Sequence, residues 1–354
     1  MHHSELYKKI ENRKIACRVC MKRCIIPEGG RGWCKTRLNK GGKLFSLIYG
    51  RVAAMMVSPI EKKPMYHFHP GSSWLSVGSV GCNFRCPGCQ NWETAHGTID
   101  VGGDGGFCVE DGETQYTEYL APRAMIEIAV RERTDGISFT YNEPTLWIEY
   151  ATDCMEAARK AGLLTNWVTN GYLTVESLDL IGPWLDSFRV DIKGFSQKTY
   201  RSVAGIDDFR GIMDICVRAK RKWDMHVELV TNIIPGRNDD PEELSAIARW
   251  IARELGDDTP WHVTRFHPHR DLLDVKPTPV DILESVRERG LAEGLRYVYI
   301  GNVPGHSAEN TYCPSCGSLI IRRRMMEVLE NHLENGACPQ CHAPIPGRFD
   351  RTFR

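Results

Sequence analysis

The chain has 354 residues, with 45 basic and 45 acidic side chains and a formal net charge of zero. That length allows one sizeable core with smaller appendages. A neutral chain does not favour nucleic acid or an anionic membrane as a partner. No apolar run reaches the roughly 18 residues of a membrane span, and the N-terminus lacks the apolar region of a signal peptide. The 14 cysteines, clustered in C-x2-C spacings, therefore predict metal sites in a reducing cytoplasm rather than disulfides.

The N-terminal segment contains four closely spaced cysteines, Cys17, Cys20, Cys24 and Cys34. Four thiolates make a complete tetrahedral set for zinc, and they can equally hold a fully ligated iron–sulfur cluster. Zinc is the preferred interpretation, because the set leaves no open coordination position and asks nothing of redox chemistry. We assign residues 1–72 to this metal-binding segment with short strands.

The stretch 74–80 is apolar and is predicted to be a buried strand. It leads into a loop with three cysteines in the spacing C-x3-C-x2-C: Cys82, Cys86 and Cys89. Three thiolates can hold three irons of a [4Fe–4S] cluster, which normally takes four cysteines. No fourth cysteine lies beside them in the sequence, so one iron remains open to another ligand. A zinc knuckle or a group of structural cysteines is the alternative.

Strands and helices alternate from residue 74 onward. The predicted strands are 74–80, 137–141, 163–169, 186–192, 225–233, 260–266 and 297–300. The predicted helices are 122–134, 145–161, 174–183, 207–221, 240–255 and 279–293. This alternation predicts a parallel sheet with right-handed crossovers over residues 73–305. An incomplete (β/α)6 barrel and a doubly wound sheet both fit the pattern.

Residues 97–117 interrupt this alternation. They are rich in glycine and acidic residues, a composition that buries little apolar area and predicts a loop. Since long loops are uncommon unless functional or disordered, we interpret the insert as a mobile lid or a partner-docking loop, with a disordered ornament as the alternative. Cys108 within it is either a free thiol or an extra metal ligand.

The C-terminal residues 306–354 carry two C-x2-C pairs with 21 residues between them: Cys313, Cys316, Cys338 and Cys341. This spacing predicts a zinc ribbon, with a rubredoxin-like iron site as the alternative. The arginine run 322–324 lies between the pairs. Because no aromatic residues are interleaved with it, we interpret it as a solvated face rather than a nucleic-acid site.

Polar residues follow the predicted strands at the end where barrel enzymes collect their functional side chains. They are Asn142, Glu143, Thr169, Asn170, Asp191, Lys193, Asn232 and His267. Together with the cysteine loop they make the chain resemble the radical S-adenosylmethionine (SAM) enzymes of the AmmeMemoRadiSam group, a branch similar to pyruvate formate-lyase activating enzymes. The matching stretches are Cys17–Cys34, 60–64, 80–92, 141–145, 168–171, 191–195, 265–268 and 301–305.

The resemblance implies a partial (β/α)6 barrel that binds SAM at the open iron of a [4Fe–4S] cluster. It implies reductive cleavage of SAM to a 5′-deoxyadenosyl radical, which abstracts hydrogen from a substrate. By the same resemblance, Asn142 and Glu143 serve the methionine amino group of SAM and Lys193 serves its carboxylate. Asp191, Asn232 and His267 are implied near the ribose or adenine.

Further SAM-binding candidates are Phe84, Asn91, Thr169 and Asn170. Many radical SAM enzymes carry an aromatic ring just before the third cysteine, where this chain has Gly88. Glycine is usual there in the AmmeMemoRadiSam group. Either Phe84 or Trp92 can supply a ring instead.

The resemblance also bears on partners. Activating enzymes of the related branch abstract hydrogen from a glycine of a partner protein, and they imply an electron donor such as ferredoxin or flavodoxin. The group's name reflects gene partnership with a Memo-type and an AMMECR-type protein, which the resemblance makes a substrate or pathway member. Two alternatives stay open: radical modification of a small molecule or RNA, and a non-enzymatic scaffold whose cysteines hold zinc only.

Overall fold

A computed structural model of the chain describes residues 1–100, 106–109 and 113–349. Its centre is an eight-stranded sheet. The strands are β1 (Ala54–Pro59), β2 (Ser73–Gly78), β3 (Gly136–Phe139), β4 (Leu164–Thr169), β5 (Ser187–Asp191), β6 (His226–Ile233), β7 (Trp261–Arg265) and β8 (Val298–Gly301).

The strands lie side by side in chain order, from β1 at one edge to β8 at the other. β1 runs antiparallel to β2, and every other neighbouring pair is parallel. The predicted parallel α/β sheet is therefore confirmed. A doubly wound sheet reverses its strand order partway across, and this sheet has no such reversal.

Within the described residues, seven main helices connect the strands: α1 (Pro122–Arg131), α2 (Ile148–Lys160), α3 (Val175–Ile181), α4 (Gln197–Ala204), α5 (Arg210–Trp223), α6 (Pro241–Trp250) and α7 (Val280–Ala292). Side-chain oxygens of Thr174, Ser196 and Asp240 cap α3, α4 and α6 by accepting from backbone amides of the first turn. α6 continues as a π-helix, Ile251–Leu255. α4 was not predicted from the sequence.

Shorter helices lie between these elements. A single helical turn, Trp92–Ala95, follows the cysteine loop. The 3₁₀ segments are Ile60–Lys62, Pro144–Trp147, Gly182–Trp184, Arg270–Leu272 and Ser307–Glu309.

The N-terminal segment forms two small antiparallel sheets of three strands each. One contains His2–His3, Arg37–Lys40 and Lys43–Ser46, and the other contains Tyr7–Lys9, Ile15–Cys17 and Ile25–Ile26. Ile15, Val19 and Ile26 are buried in the same apolar cluster as the central strands and helices. The segment therefore packs directly on the central unit, and β1, which lies within residues 1–72, extends the central sheet.

The insert differs from the expected loop. Thr98–Ile99, Gly106–Cys108 and Thr114–Tyr116 pair as a three-stranded antiparallel sheet, and Glu118–Tyr119 pairs with Arg51–Val52. Ile99, Phe107 and Val109 are at most 5% exposed and belong to the main core. These three apolar side chains supply the buried area that the overall composition did not suggest. The interpretation as a lid falls partly on 101–105 and 110–112, which lie outside the described residues.

The C-terminal strands Thr311–Tyr312, Leu319–Arg324 and Glu327–Asn331 form a separate antiparallel sheet. The prediction of a solvated arginine face is wrong for Arg323, which is 2% exposed. Its guanidinium donates to the Tyr66 carbonyl at 2.8 Å and to Thr311 Oγ1 at 2.7 Å. Arg323 thereby ties this sheet to the central unit. None of the helices in the described part of the chain is both long and apolar enough to cross a membrane.

Candidate functional site

The three-cysteine loop begins where β2 ends, at the carboxyl edge of the parallel sheet. Its first residues are held by the loop that follows β3. The Ser79 amide donates to Asn142 Oδ1 at 3.0 Å, and Asn142 Nδ2 donates to the Gly81 carbonyl at 3.0 Å. Both ends of the Asn142 amide therefore fix the backbone that leads into Cys82.

The three loop thiols, Cys82, Cys86 and Cys89, are free and partly exposed. Burial raises the pKa of Cys82, and Glu143, Cys86 and Cys89 raise it further. Burial raises the pKa of Cys86 to about 12, although Lys193 opposes the shift. The three thiols thus lie near one another and beside charged groups, and that donor set fits an iron–sulfur cluster.

Glu143 is 2% exposed and accepts four hydrogen bonds. Its Oε1 accepts from the Thr145 amide (3.1 Å), Thr145 Oγ1 (2.6 Å) and Thr169 Oγ1 (2.8 Å), and its Oε2 accepts from the Asn170 amide (2.9 Å). Burial raises the pKa of Glu143 and these bonds oppose the rise. The carboxylate joins the loop after β3 to the loop after β4.

Asn170 carries this connection to the cysteine loop. Its Nδ2 donates to Asn83 Oδ1 at 2.7 Å and lies 3.7 Å from Cys82 Sγ. Thr169 Oγ1 accepts from the Gly171 amide at 3.0 Å. The residues predicted after β3 and β4 are therefore brought together around Cys82.

A charged group lies on the other side of the loop. Lys193 Nζ is 3.1 Å from Asp191 Oδ2, and Arg189 bonds the other carboxylate oxygen. Burial acts to raise the pKa of Asp191, but Arg189 and Lys193 outweigh it and lower the pKa. Burial acts to lower the pKa of Lys193, but Asp191 and Cys86 outweigh it and raise the pKa. Both side chains thus stay charged next to Cys86.

The loop after β7 closes the site near Gly88. A Cβ placed on Gly88 would lie 2.9 Å from Leu272 Cδ1 and 3.1 Å from Phe266 Cε2. An aromatic ring at this position would therefore have to displace Leu272 and Phe266. His267 is exposed in the same loop. Asn232, near the carboxyl end of β6, donates to Thr264 Oγ1 at 3.0 Å and to the Arg265 carbonyl at 3.2 Å.

The two candidate rings differ in position. Phe84 is 1% exposed and packs against Tyr172, with ring centroids 5.5 Å apart. Trp92 is partly exposed at the start of its helical turn. Asn91 Nδ2 donates to the Tyr141 carbonyl at 2.7 Å. Of the two rings, Trp92 is the one with surface left for a ligand.

Arg270 and His96 also lie at this site, although neither was predicted from the sequence. Arg270 Nη1 lies 3.3 Å from His96 Nε2, and the Arg270 charge acts to lower the pKa of Cys86 and Cys89. The only sequence signal is position: His96 follows the cysteine loop, and Arg270 follows the strand-end motif that contains His267.

The C-terminal cysteines form a second arrangement. Cys313 Sγ lies 3.6 Å from Cys341 Sγ, and Cys316 Sγ lies 3.7 Å from Cys338 Sγ. The four Sγ atoms all lie within 4.8 Å of one another, and no other group of at least three cysteine, histidine or acidic residues in the described part of the chain is so compact. The predicted four-cysteine cluster is therefore present.

Comparisons with known proteins agree with this geometry. The family model of the radical SAM superfamily matches residues 76–251. An uncharacterized protein of Methanocaldococcus jannaschii is 39% identical over 347 residues, which cover 98% of this chain and 99% of that protein. The isethionate sulfite-lyase activating enzyme of Oleidesulfovibrio alaskensis is 28% identical over 117 residues, which are 33% of this chain and 38% of that enzyme.

Two solved structures are also similar. A domain of a pyruvate-formate lyase-activating enzyme from Bacteroides vulgatus has 17% identity and a TM-score of 0.40, covering 47% of this chain and 99% of that domain. A radical SAM methyltransferase from Sphaerobacter thermophilus has 15% identity and a TM-score of 0.49, covering 71% of each chain. With the three-cysteine loop at the end of the first parallel strand and the family match over that region, residues 76–251 of this chain are a radical SAM domain.

Proposed function

We propose that this chain holds a [4Fe–4S] cluster on Cys82, Cys86 and Cys89 and binds SAM at the iron that the three thiols leave open. The bound cluster supplies the electron that cleaves SAM to methionine and a 5′-deoxyadenosyl radical, and the radical abstracts hydrogen from a substrate. One observation carries the proposal: three free thiols on one loop at the carboxyl edge of the sheet lie beside the charged pair Asp191 and Lys193.

We extend the proposal to the shape of the sheet. Strands β2 to β7, each followed by a helix, stand in chain order without reversal. That order suits a partial (β/α)6 barrel, in which the carboxyl ends of the strands surround the substrate.

The proposed roles of the site residues follow from the hydrogen bonds that each side chain already makes. Lys193 is proposed to bind the SAM carboxylate, because its ammonium has donors beyond the one that faces Asp191. Asp191, Asn232 and His267 are proposed to lie along the ribose and adenine. Asn142 and Glu143 are proposed to serve the amino group, and their present hydrogen bonds give them a positioning role as well.

For the C-terminal cluster we propose zinc. Tetrahedral zinc with Zn–S distances of about 2.3 Å places its sulfurs ~3.8 Å apart. The Sγ separations of 3.6 and 3.7 Å match that value. The zinc ribbon would then stabilise residues 306–349 against the central unit.

The proposed substrate is a partner protein, as in activating enzymes of glycyl-radical systems. The partial similarity to an isethionate sulfite-lyase activating enzyme supports this class of chemistry. Membership of the AmmeMemoRadiSam group, with a Memo-type or AMMECR-type protein as the partner, remains a proposal, as does a ferredoxin or flavodoxin as the electron donor.

The test is reductive SAM cleavage by protein reconstituted anaerobically with iron and sulfide. We expect 5′-deoxyadenosine and methionine in chromatography, and a change in the electron paramagnetic resonance (EPR) spectrum of the reduced cluster when SAM is added. Replacing Cys82, Cys86 and Cys89 with alanine should abolish both signals, whereas Cys108→Ala, at an exposed cysteine, should keep them. An assembled loop cluster without SAM cleavage would refute the proposal. Zinc at all three cysteine sets would support the scaffold instead.

A further inference from the structure

The four N-terminal cysteines lie near one another, but their sulfur atoms are less closely spaced than those of the C-terminal cysteines. Cys17, Cys20 and Cys34 are buried and Cys24 is partly exposed. The Cys17 amide donates to the Cys24 carbonyl at 2.9 Å, and the Trp33 amide, next to Cys34, donates to Cys24 Sγ at 3.4 Å, so the cysteine segments are neighbours. Yet in the described part of the chain only the C-terminal set has its ligand atoms within 4.8 Å of one another.

The chain therefore provides its own standard of comparison. The C-terminal cysteines stand at the spacing of ligands around one ion. The N-terminal cysteines, like those of the loop after β2, are spread more widely. A [4Fe–4S] cluster binds each thiolate at a different iron, whereas the thiolates of a zinc site share one ion. Wider spacing thus favours the cluster over zinc, which was the preferred interpretation from the sequence.

Arg37 supplies a second, independent observation. It is 1% exposed, and its two terminal nitrogens bond Glu149 at 2.6 and 2.9 Å. Its Nε is buried and has no hydrogen-bond partner among the residues described. Arg37 lies beside the Cys34 turn: the Gly32 amide donates to the Arg37 carbonyl at 3.0 Å, and a Cβ on Gly32 would lie 3.6 Å from Arg37 Cβ and 3.8 Å from Cys34 Sγ. A buried N–H without a partner calls for an acceptor, and the sulfurs of an iron–sulfur cluster accept such bonds.

We propose that Cys17, Cys20, Cys24 and Cys34 hold a second, fully ligated [4Fe–4S] cluster, which delivers single electrons to the loop that carries Cys82, Cys86 and Cys89. The existence of this cluster stands on the N-terminal geometry alone. Its role in electron delivery rests on the proposed function of the loop.

The two cysteine sets are in direct contact. A Cβ on Gly81, the residue before Cys82, would lie 2.5 Å from Thr36 Cγ2 and 3.3 Å from the Cys34 carbonyl. Arg85 Nη1 donates to the Cys82 carbonyl at 2.8 Å, and its Nη2 donates to the Trp33 carbonyl at 3.1 Å. The backbone of each set therefore touches the backbone or side chains of the other.

A third link runs through Tyr172. Its carbonyl accepts from Asn83 Nδ2 at 3.2 Å and from the Met21 amide at 3.2 Å. Asn83 follows Cys82, and Met21 follows Cys20. One carbonyl thus joins the two cysteine segments next to their ligands, which is a suitable arrangement for electron transfer between them.

The electron balance is simple. A one-electron donor protein of the ferredoxin or flavodoxin class is oxidised by one electron, and the N-terminal cluster is reduced by one. The N-terminal cluster returns to its oxidised state when it passes that electron to the cluster on Cys82, Cys86 and Cys89. No bond forms or breaks at the N-terminal cysteines, which suits a site with four thiolates and no open iron. Cys24, the partly exposed ligand, marks the side from which the electron enters.

Metal analysis of anaerobically reconstituted protein decides whether the second cluster exists. We expect about eight irons and about one zinc per chain. The variant with Cys82, Cys86 and Cys89 replaced by alanine should keep about four irons, about four sulfides and about one zinc. Its reduced EPR spectrum should not respond to SAM, because no iron is open. Two zincs per chain, or loss of all iron from this variant, would overturn the proposal.

Electron delivery is tested by the reduction of the loop cluster, measured as its SAM-sensitive EPR signal. With reduced flavodoxin as the donor, Cys24→Ala should lower the initial rate of loop reduction at least tenfold relative to Cys108→Ala. With titanium(III) citrate, which is small enough to reach the loop directly, the two variants should differ far less. Equal rates with flavodoxin would overturn the relay. Absence of any SAM-sensitive signal would refute the proposed function and the relay with it, while the iron and zinc counts would still decide the second cluster.

Discussion

Replacing Lys193 with methionine removes one positive charge beside Cys86 and keeps most of the aliphatic stem. Asp191 keeps its bond to Arg189, and the lost pair is partly exposed, so the free energy of unfolding should fall by less than about 1 kcal/mol. A charge-assisted hydrogen bond to the SAM carboxylate contributes about 1.5–3 kcal/mol. At about 1.4 kcal/mol per factor of ten, the Kd for SAM should increase by a factor of about 10 to 100.

Isothermal titration of SAM into the anaerobically reconstituted variant measures this change. The iron content is determined on the same sample, so that weaker binding is not confused with a missing cluster. Lys198→Met is the matched control, because Lys198 is exposed on α4 and its replacement should leave the Kd unchanged. An unchanged Kd for Lys193→Met with a full complement of iron would show that Lys193 does not bind SAM.

Three further predictions, one of them with a control variant, are measured as the loss in the free energy of unfolding by chemical denaturant. Gly81→Ala should cost about 1–3 kcal/mol, because φ is +98° and the new Cβ would lie 2.5 Å from Thr36 Cγ2. Phe107→Ala should lower the free energy of unfolding by about 3–5 kcal/mol, because Phe107 is buried. The control Tyr116→Ala, at an exposed residue of the same insert, should lower it by less than about 0.5 kcal/mol. Similar losses for the two variants would mean that the insert does not pack on the core. Glu228→Gln should cost about 2–3 kcal/mol at neutral pH. Burial acts to raise the pKa of Glu228, but hydrogen bonds from His226 and His262 lower it, so the wild type should lose stability as the pH falls below about 4.3 and the variant should lose less.

The central sheet was the most predictable part of the chain. Its strands are short apolar runs bounded by polar or turn residues, and those runs locate them to within a few residues. α4 was missed because Gln197–Ala204 is only about two turns long and largely polar, although its buried residues Thr199, Tyr200, Val203 and Ala204 follow helical spacing. The strand order could not be derived either, since both parallel architectures share the same alternation of strands and helices.

The insert and Arg323 show how composition misleads. Glycine and acidic residues dominate the segment 97–117, yet three apolar side chains in it reach the main core. Arg323 lies in a run of three arginines but is buried because two acceptors, the Tyr66 carbonyl and Thr311 Oγ1, meet its guanidinium. In both cases the decisive partner is remote in the sequence, so no local pattern can reveal it.

The candidate site shows a related limit in the polar residues that end the strands. The sequence predicted that these residues converge, because the carboxyl ends of parallel strands share one edge. It did not show that Glu143 is occupied by donors from Thr145, Thr169 and Asn170, or that Asn142 holds the backbone before Cys82. Lys193 differs because its bond to Asp191 leaves other donors available. The same edge of the sheet therefore contains residues that position the cysteine loop and residues that are available to bind a ligand. Only the hydrogen-bond partners in the structure distinguish these two groups of residues.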